Sequence, residues 1–207
     1  MPNDIPEMVD LAFDLEGGTI PVAYQFPLWA EIVRLAPKLA EEKQVGILPL
    51  RTSVSNEGLL LPKRAKLVLR LPTTLAGYAA ACLSGQQLKI SANTGHTKKD
   101  SLFLGKSKPL QIHPHPTIHA QLVTGTSDEI MFMNDIMARL SKMNITAKLV
   151  CGKHRTLIGG QHAIHGFSLA LHDLKPEASL QLQYAGLGEE RRFGCGIFVP
   201  HKTISGL

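Results

Sequence analysis

Ile118-His119-Ala120-Gln121-Leu122-Val123 reads as a β-strand, and Ser127-Asp128-Glu129 after it opens a helix to about Met143, with Ser127 the expected N-cap. Two extended segments at 146–157 and 163–171 form a long hairpin joined through Gly159-Gly160. Leu174-Lys175-Pro176-Glu177 begins a second helix, and Gly194-Cys195-Gly196-Ile197-Phe198-Val199-Pro200 is a last strand. The order β-α-β-β-α-β is the ferredoxin-like arrangement.

The chain before this unit repeats the order. Val9, Leu11, Phe13 and Leu15 alternate along Met8–Leu15, which gives a first strand ended by Gly17-Gly18. Leu28, Trp29, Ile32, Val33, Leu35 and Ala36 recur at helical spacing within 26–43. Pro27 suits that helix's first turn, whereas Pro37 kinks or shortens it. Extended segments follow at 46–54 and 65–71, a helix at 73–83 closed by Gly85, and strands at 88–92 and 109–113. The expected fold is α+β, two ferredoxin-like (βαββαβ, RRM-like) halves in tandem. The Pro/His-rich run His113-Pro114-His115-Pro116 marks the boundary, giving domains 1–115 and 116–207.

Composition narrows the function classes. Of 207 residues 44% are hydrophobic and 19% charged, a globular balance that excludes a disordered chain. The uncharged stretches are too polar to span a bilayer, and Met1–Glu7 lacks the basic and apolar regions of a secretory signal. Cys82, Cys151 and Cys195 form no C-x-x-C pair, so neither a disulfide framework nor a structural zinc site is expected; the expected location is cytoplasmic. Residues 1–50 carry eight acidic and three basic side chains, while 51–108 carry ten Lys/Arg against only Glu57 and Asp100. So local an excess of positive charge makes polyanion binding a leading option. Aromatics, at 5%, are too sparse for a sheet that stacks several bases.

In a ferredoxin-like half, the hairpin tip and the loop between second helix and last strand share one end of the sheet. Here those are residues 152–162, with Lys153, His154, Arg155 and His162, and residues 186–194, with Arg191 and Arg192. Gly186, Gly188, Gly194 and Gly196 punctuate the second loop, whose backbone can approach a partner closely and offer amides to phosphate oxygens. It is no P-loop, since no Gly-Lys-Ser/Thr follows. It is no dinucleotide fingerprint either, because it precedes a strand.

With its flanks, the run Gly186-Leu187-Gly188-Glu189-Glu190-Arg191-Arg192-Phe193-Gly194-Cys195-Gly196 resembles the C-terminal glycine-rich loop of the CRISPR-associated endoribonucleases that process precursor CRISPR RNA. These belong to the repeat-associated mysterious protein superfamily. The tail Ile197-Phe198-Val199-Pro200-His201-Lys202 looks like the small variant of myxobacterial and cyanobacterial type I systems. Pro21-Val22-Ala23-Tyr24-Gln25-Phe26 is similar to the family's junction of first strand and first helix. The resemblance implies a metal-independent, cofactor-free cut within each repeat of precursor crRNA. A general base takes the 2′-hydroxyl proton, the oxygen attacks the adjacent phosphorus, and a 2′,3′-cyclic phosphate results. It implies as partners the CRISPR repeat RNA, retained as crRNA, and other subunits of a type I surveillance complex, with no membrane. Many members place a histidine near the first helix, whereas no histidine here precedes His96. Tyr24 matches the family's tyrosine at the start of that helix. The base is then Tyr24 or a hairpin histidine, with His154 first. RNA contacts fall to Lys153, Arg155, His162, Gly186, Gly188, Arg191, Arg192, Gly194 and Gly196.

Two other readings stand beside this one: a non-catalytic crRNA-binding subunit of the same complex, favoured by the missing early histidine, and an unrelated ferredoxin-like enzyme or ligand-binding module. The remaining histidines carry less. His113, His115 and His119 have metal-like spacing, but no acidic or cysteine partner lies close and two prolines break the segment, so it reads as a surface linker with no metal site. His162 and His165 fall on opposite strand faces, and His172 and His201 read as surface positions.

Overall fold

Val9, Leu11, Phe13 and Leu15 all turn into the core from β1 (Met8–Glu16), as their alternation demands. The computed structural model of the chain describes residues 5–56, 58–90 and 101–202. After β1 come β2 (Thr19–Ile20), α1 (Gln25–Leu35), a 3-10 turn (Pro37–Ala40), β3 (Gly46–Ile47), β4 (Ser53–Ser55) and β5 (Gly58–Leu60). Then follow β6 (Lys66–Pro72), α2 (Thr73–Leu83), β7 (Gln87–Lys89) and β8 (Ser101–Gln111). The main sheet has the order β3-β6-β1-β8-β7. Its first four strands are the 2-3-1-4 order of a ferredoxin-like half. Leu28 and Ile32 of α1 and Ala79 and Leu83 of α2 bury against Leu67, Leu69 and Leu71 of β6 and the inward face of β1.

Several boundaries differ from the sequence expectation. The first helix stops at Leu35, because Pro37 lacks an N–H and biases Ala36 out of the helical region, to φ −134°, ψ 69°. The strand expected over 46–54 splits. Gly46–Ile47 joins the main sheet, while Ser53–Ser55 joins a separate three-stranded sheet of order β2-β5-β4. Pro49, with no ladder donor, lies between the two pieces. The 88–92 segment is an edge strand over Gln87–Lys89 only, and residues 91–92 lie outside the described residues, as do His96, Lys98 and Lys99. The fourth ferredoxin strand is the long β8, of which 109–113 catches only the end. Not all of the positive charge of 51–108 is free: Lys66 pairs with Asp14, and Arg70 with Asp10.

The second half contains β9 (Ile118–Thr124), α3 (Glu129–Lys142), β10 (Lys148–Gly159), β11 (His162–His172), α4 (Pro176–Ala185), a 3-10 turn (Arg191–Phe193) and β12 (Val199–Pro200). Its sheet order, β10-β11-β9-β12, is again 2-3-1-4. Phe132, Ile136 and Leu140 of α3 and Leu182 of α4 pack on Ile118, Ala120, Val123, Phe167, Leu169 and Leu171. The N-cap of α3 is Asp128, not Ser127: the Asp128 carboxylate accepts from the Met131 amide at 2.9 Å. The last strand shrinks to two residues because Gly194 (φ 87°) and Gly196 (φ 66°) take left-handed backbone where an extended run was expected. The chain divides into two compact units, residues 7–111 and, among the described residues, 112–202 with 5–6. No described helix is long and apolar enough to cross a membrane.

Candidate functional site

In the second unit the glycine-rich loop folds back on itself and onto the end of β9. The Leu187 amide donates to the Gly196 carbonyl at 3.2 Å, and the Gly196 amide to the Leu122 carbonyl at 2.7 Å. The Glu189 amide donates to Thr124 Oγ1 at 2.7 Å. A side chain on Gly196 would collide with the Leu187 carbonyl, and one on Gly186 with the Arg191 guanidinium. These glycines are therefore required by the loop's own close approach. The amides of Gly186, Phe193, Gly194 and Cys195 are likewise engaged by neighbouring carbonyls, which corrects the expectation of a loop with its amides broadly open to phosphate.

The two arginines of the loop differ sharply. Arg191 is 7% exposed and its guanidinium packs inside the loop, so it is no outward phosphate contact. Arg192 is exposed, hydrogen-bonded to Glu190 at 2.9 Å with its guanidinium over the Phe193 ring. Burial, with Glu190 adding to it, pushes the Cys195 thiol up to about 12, so that cysteine is an inert core group.

The β10–β11 hairpin continues past the end of β9. Gly166 pairs with Thr124 and with Arg155, and pairing then runs out to Gly159 opposite His162, with Gly160 (φ 61°) at the turn. Hairpin tip and glycine loop thus share one end of the sheet, linked through residues 124–125; the Gly125 amide donates to the His165 carbonyl at 3.1 Å. A bulge between Cys151 and His154 leaves Lys153 exposed beside it. His154 lies opposite Phe167 on the face that carries the helices, whereas Arg155, opposite Gly166, lies on the other face.

His154 has a partner that the sequence reading did not pair with it. Its ring stacks on that of His165, centroids 6.0 Å apart at 18°, and meets Phe167 edge-on at 5.1 Å. His165 Nδ1 is 3.1 Å from Thr156 Oγ1. Phe167 in turn packs on Phe132 at 4.9 Å, which ties the pair to α3. The signal was available: register counted back from the turn at Gly160 makes His154 and His165 diagonal neighbours on one face. Two exposed imidazoles side by side can accept, hold and return a proton.

Tyr24 is not presented to a substrate. It is 3% exposed within the first unit's core, and its hydroxyl accepts from the Leu50 amide at 2.8 Å. Burial, partly offset by that amide, pushes its phenol up to about 12. Desolvation and an engaged oxygen correct the assignment of Tyr24 as general base.

The family described as Cas6 Crispr matches residues 9–203. A CRISPR-associated endonuclease Cas6 of Myxococcus xanthus (strain DK1622) is 31% identical over 201 residues, 93% of this chain and 81% of that protein. Among solved structures, a CRISPR associated protein Cas6 superposes with a TM-score of 0.66 at 13% identity, over 95% of this chain and all of the other. A Cas6-related protein from Pyrococcus furiosus gives 0.63 at 13% identity, over 93% of this chain and 98% of that one. A CRISPR endoribonuclease Cse3 bound to 19 nt RNA gives 0.53 at 11% identity, over 93% and 98%. At such identities these structures establish the shared fold, tandem ferredoxin-like halves.

Proposed function

Since this chain belongs to the Cas6 family, we propose that it is an endoribonuclease that binds CRISPR repeat RNA and cuts precursor crRNA within each repeat. The observation that carries this reading is the 31% identity to a CRISPR-associated endonuclease across 93% of the chain. The geometry supports it by gathering a glycine loop, an exposed arginine and two apposed imidazoles at one end of one sheet.

The chemistry is transesterification without a metal or cofactor. His154 takes the proton of the 2′-hydroxyl at the cut, and His165, stacked on it, supports the imidazolium that forms. The 2′-oxygen attacks phosphorus, the bond to the 5′-oxygen breaks as the His154–His165 pair returns the proton to that oxygen, and a 2′,3′-cyclic phosphate remains. Lys153, Arg155, His162 and Arg192 hold the phosphodiester chain, and the shape of Gly186, Gly188, Gly194 and Gly196 sets the loop against it. The product stays bound as crRNA and joins other subunits of a type I surveillance complex in the cytosol.

A second reading rests on Tyr24. With its hydroxyl buried and no histidine before His96, the start of the first helix offers no base, as a non-catalytic crRNA-binding subunit would have it. A repeat transcript incubated with the protein in EDTA decides between them. Enzymatic function yields fragments that end in a 2′,3′-cyclic phosphate, while tight binding with no fragments after long incubation assigns the subunit role.

A further inference from the structure

The two imidazoles of the hairpin are not equivalent. His165 is tied at its backbone and at its ring: its carbonyl accepts from the Gly125 amide at 3.1 Å, and its Nδ1 lies 3.1 Å from Thr156 Oγ1. The His154 ring touches the rings of His165 and Phe167 and, among the described residues, takes part in no hydrogen bond. Strand register makes this asymmetry. Thr156 stands directly opposite His165, whereas His154, two residues earlier on the same face, stands opposite Phe167, whose side chain has no polar atom to offer. Directly opposed residues hold their Cβ atoms about 5 Å apart, which lets a short hydroxyl reach the near nitrogen of an imidazole. Thr156 is branched at Cβ, so its χ1 is restricted and its hydroxyl is held with little loss of freedom.

We propose that Thr156 is a positioning residue that divides the pair into a base and a hydrogen-bond donor. The proposal rests on the reading of the chain as an endoribonuclease with His154 as its base. A threonine hydroxyl donates or accepts, so it can serve either tautomer of His165. The Nε2–H form is the ordinary one for a neutral histidine, and the Thr156 hydroxyl meets it by donating to Nδ1. The one lone pair of that ring is then engaged, and Nε2 presents an N–H. In this form His165 does not compete with His154 for the 2′-hydroxyl proton. Its Nε2–H is instead free to donate to a non-bridging phosphate oxygen, where negative charge grows as the 2′-oxygen attacks. His165 also stays uncharged beside the imidazolium that His154 becomes, and two cations with ring centroids 6.0 Å apart would oppose each other. The proton taken from the 2′-hydroxyl ends on the 5′-oxygen, while the Thr156 hydroxyl and His165 Nε2 keep their own, so the pair is returned unchanged.

The test uses the full chain, fluorescein-labelled repeat RNA in EDTA, and nitrogen NMR of isotope-labelled histidine. Thr156→Val keeps the size and branching of the side chain and deletes only the hydroxyl. It should lower single-turnover cleavage roughly tenfold with affinity and thermal unfolding unchanged, the size of one lost hydrogen bond. Thr156→Ser, which keeps the hydroxyl, should cut near the parental rate. In the spectrum of the RNA-free protein His165 should be the Nε2–H tautomer in the parent and in Thr156→Ser, and a mixture of both tautomers in Thr156→Val. Three results each overturn the proposal and leave the proposed function standing: an Nδ1–H tautomer at His165 in the parent, parental cleavage by Thr156→Val, or cleavage by Thr156→Ser as slow as by Thr156→Val. The tautomer is read in the parent alone, so a poorly folded variant does not spare the proposal. A parent that binds repeat RNA and never cuts it overturns the endoribonuclease reading itself.

Discussion

The guanidinium of Arg191 occupies the place where a side chain on Gly186 would stand. Buried there, Arg191 braces the two arms of the glycine loop, while its neighbour Arg192 faces outward. Arg192→Ala should therefore flatten the dependence of log K on log salt by roughly 0.7, one phosphate contact to a single strand. Arg191→Ala should instead lower the unfolding midpoint and weaken RNA binding without a separate change in slope. Equal slopes in parent and Arg192→Ala would remove that residue from the interface.

Gly196→Val tests whether the loop's shape is internal. Its Cβ would fall on the Leu187 carbonyl, at a φ of 66° that a β-branched residue avoids. The expected outcome is a loss of at least about 1–3 kcal/mol in urea unfolding together with loss of RNA binding. A stable variant that binds normally would refute the loop geometry.

For catalysis, His154→Ala should lower single-turnover cleavage by roughly 100-fold or more with little change in affinity, the size of a lost general base. Tyr24→Phe should cut at the parental rate but lose about 1–3 kcal/mol of stability, because the Leu50 amide loses its buried acceptor. With the Tyr24 phenol at about 12, no rise in rate between pH 9 and pH 10.5 should depend on it. Parental cleavage by His154→Ala would sink the assignment of the base.

In the first unit Arg70, 1% exposed, holds Asp10 through two hydrogen bonds of 2.7 and 2.8 Å. Asp10→Ala leaves a buried cation without its carboxylate and should cost about 3–5 kcal/mol. The paired change Asp10→Leu/Arg70→Met should recover much of that loss, as read by chemical denaturation.

Cys195 offers a simple check on packing. Its thiol, pushed to about 12 by burial and then Glu190, should resist a disulfide reagent at pH 8 until the protein unfolds. Prompt modification of all three cysteines in the native protein would contradict the buried loop.

Much of the architecture was legible because it rests on periodicity. Val9 to Leu15 and Phe132 to Leu140 announce their faces without help from the rest of the chain. The site was less so. Tyr24 looks like a surface group at a helix start, and only packing shows its hydroxyl turned onto Leu50. Arg191 and Arg192 are chemically alike in sequence, and the left-handed turn at Glu190 (φ 60°) is what precedes one buried and one exposed guanidinium.

Because β12 is only two residues long, the stretch of β9 beyond Ala120 would be a bare sheet edge without the glycine loop. The Gly196 amide caps the Leu122 carbonyl there, and the Glu189 amide, bound to the Thr124 hydroxyl, lays the loop along the edge. An open edge is a template on which other chains pair and aggregate. Variants that unravel the loop should thus fall out of solution as well as lose RNA, and selection for solubility would hold the loop in place even where recognition of a particular repeat is free to drift.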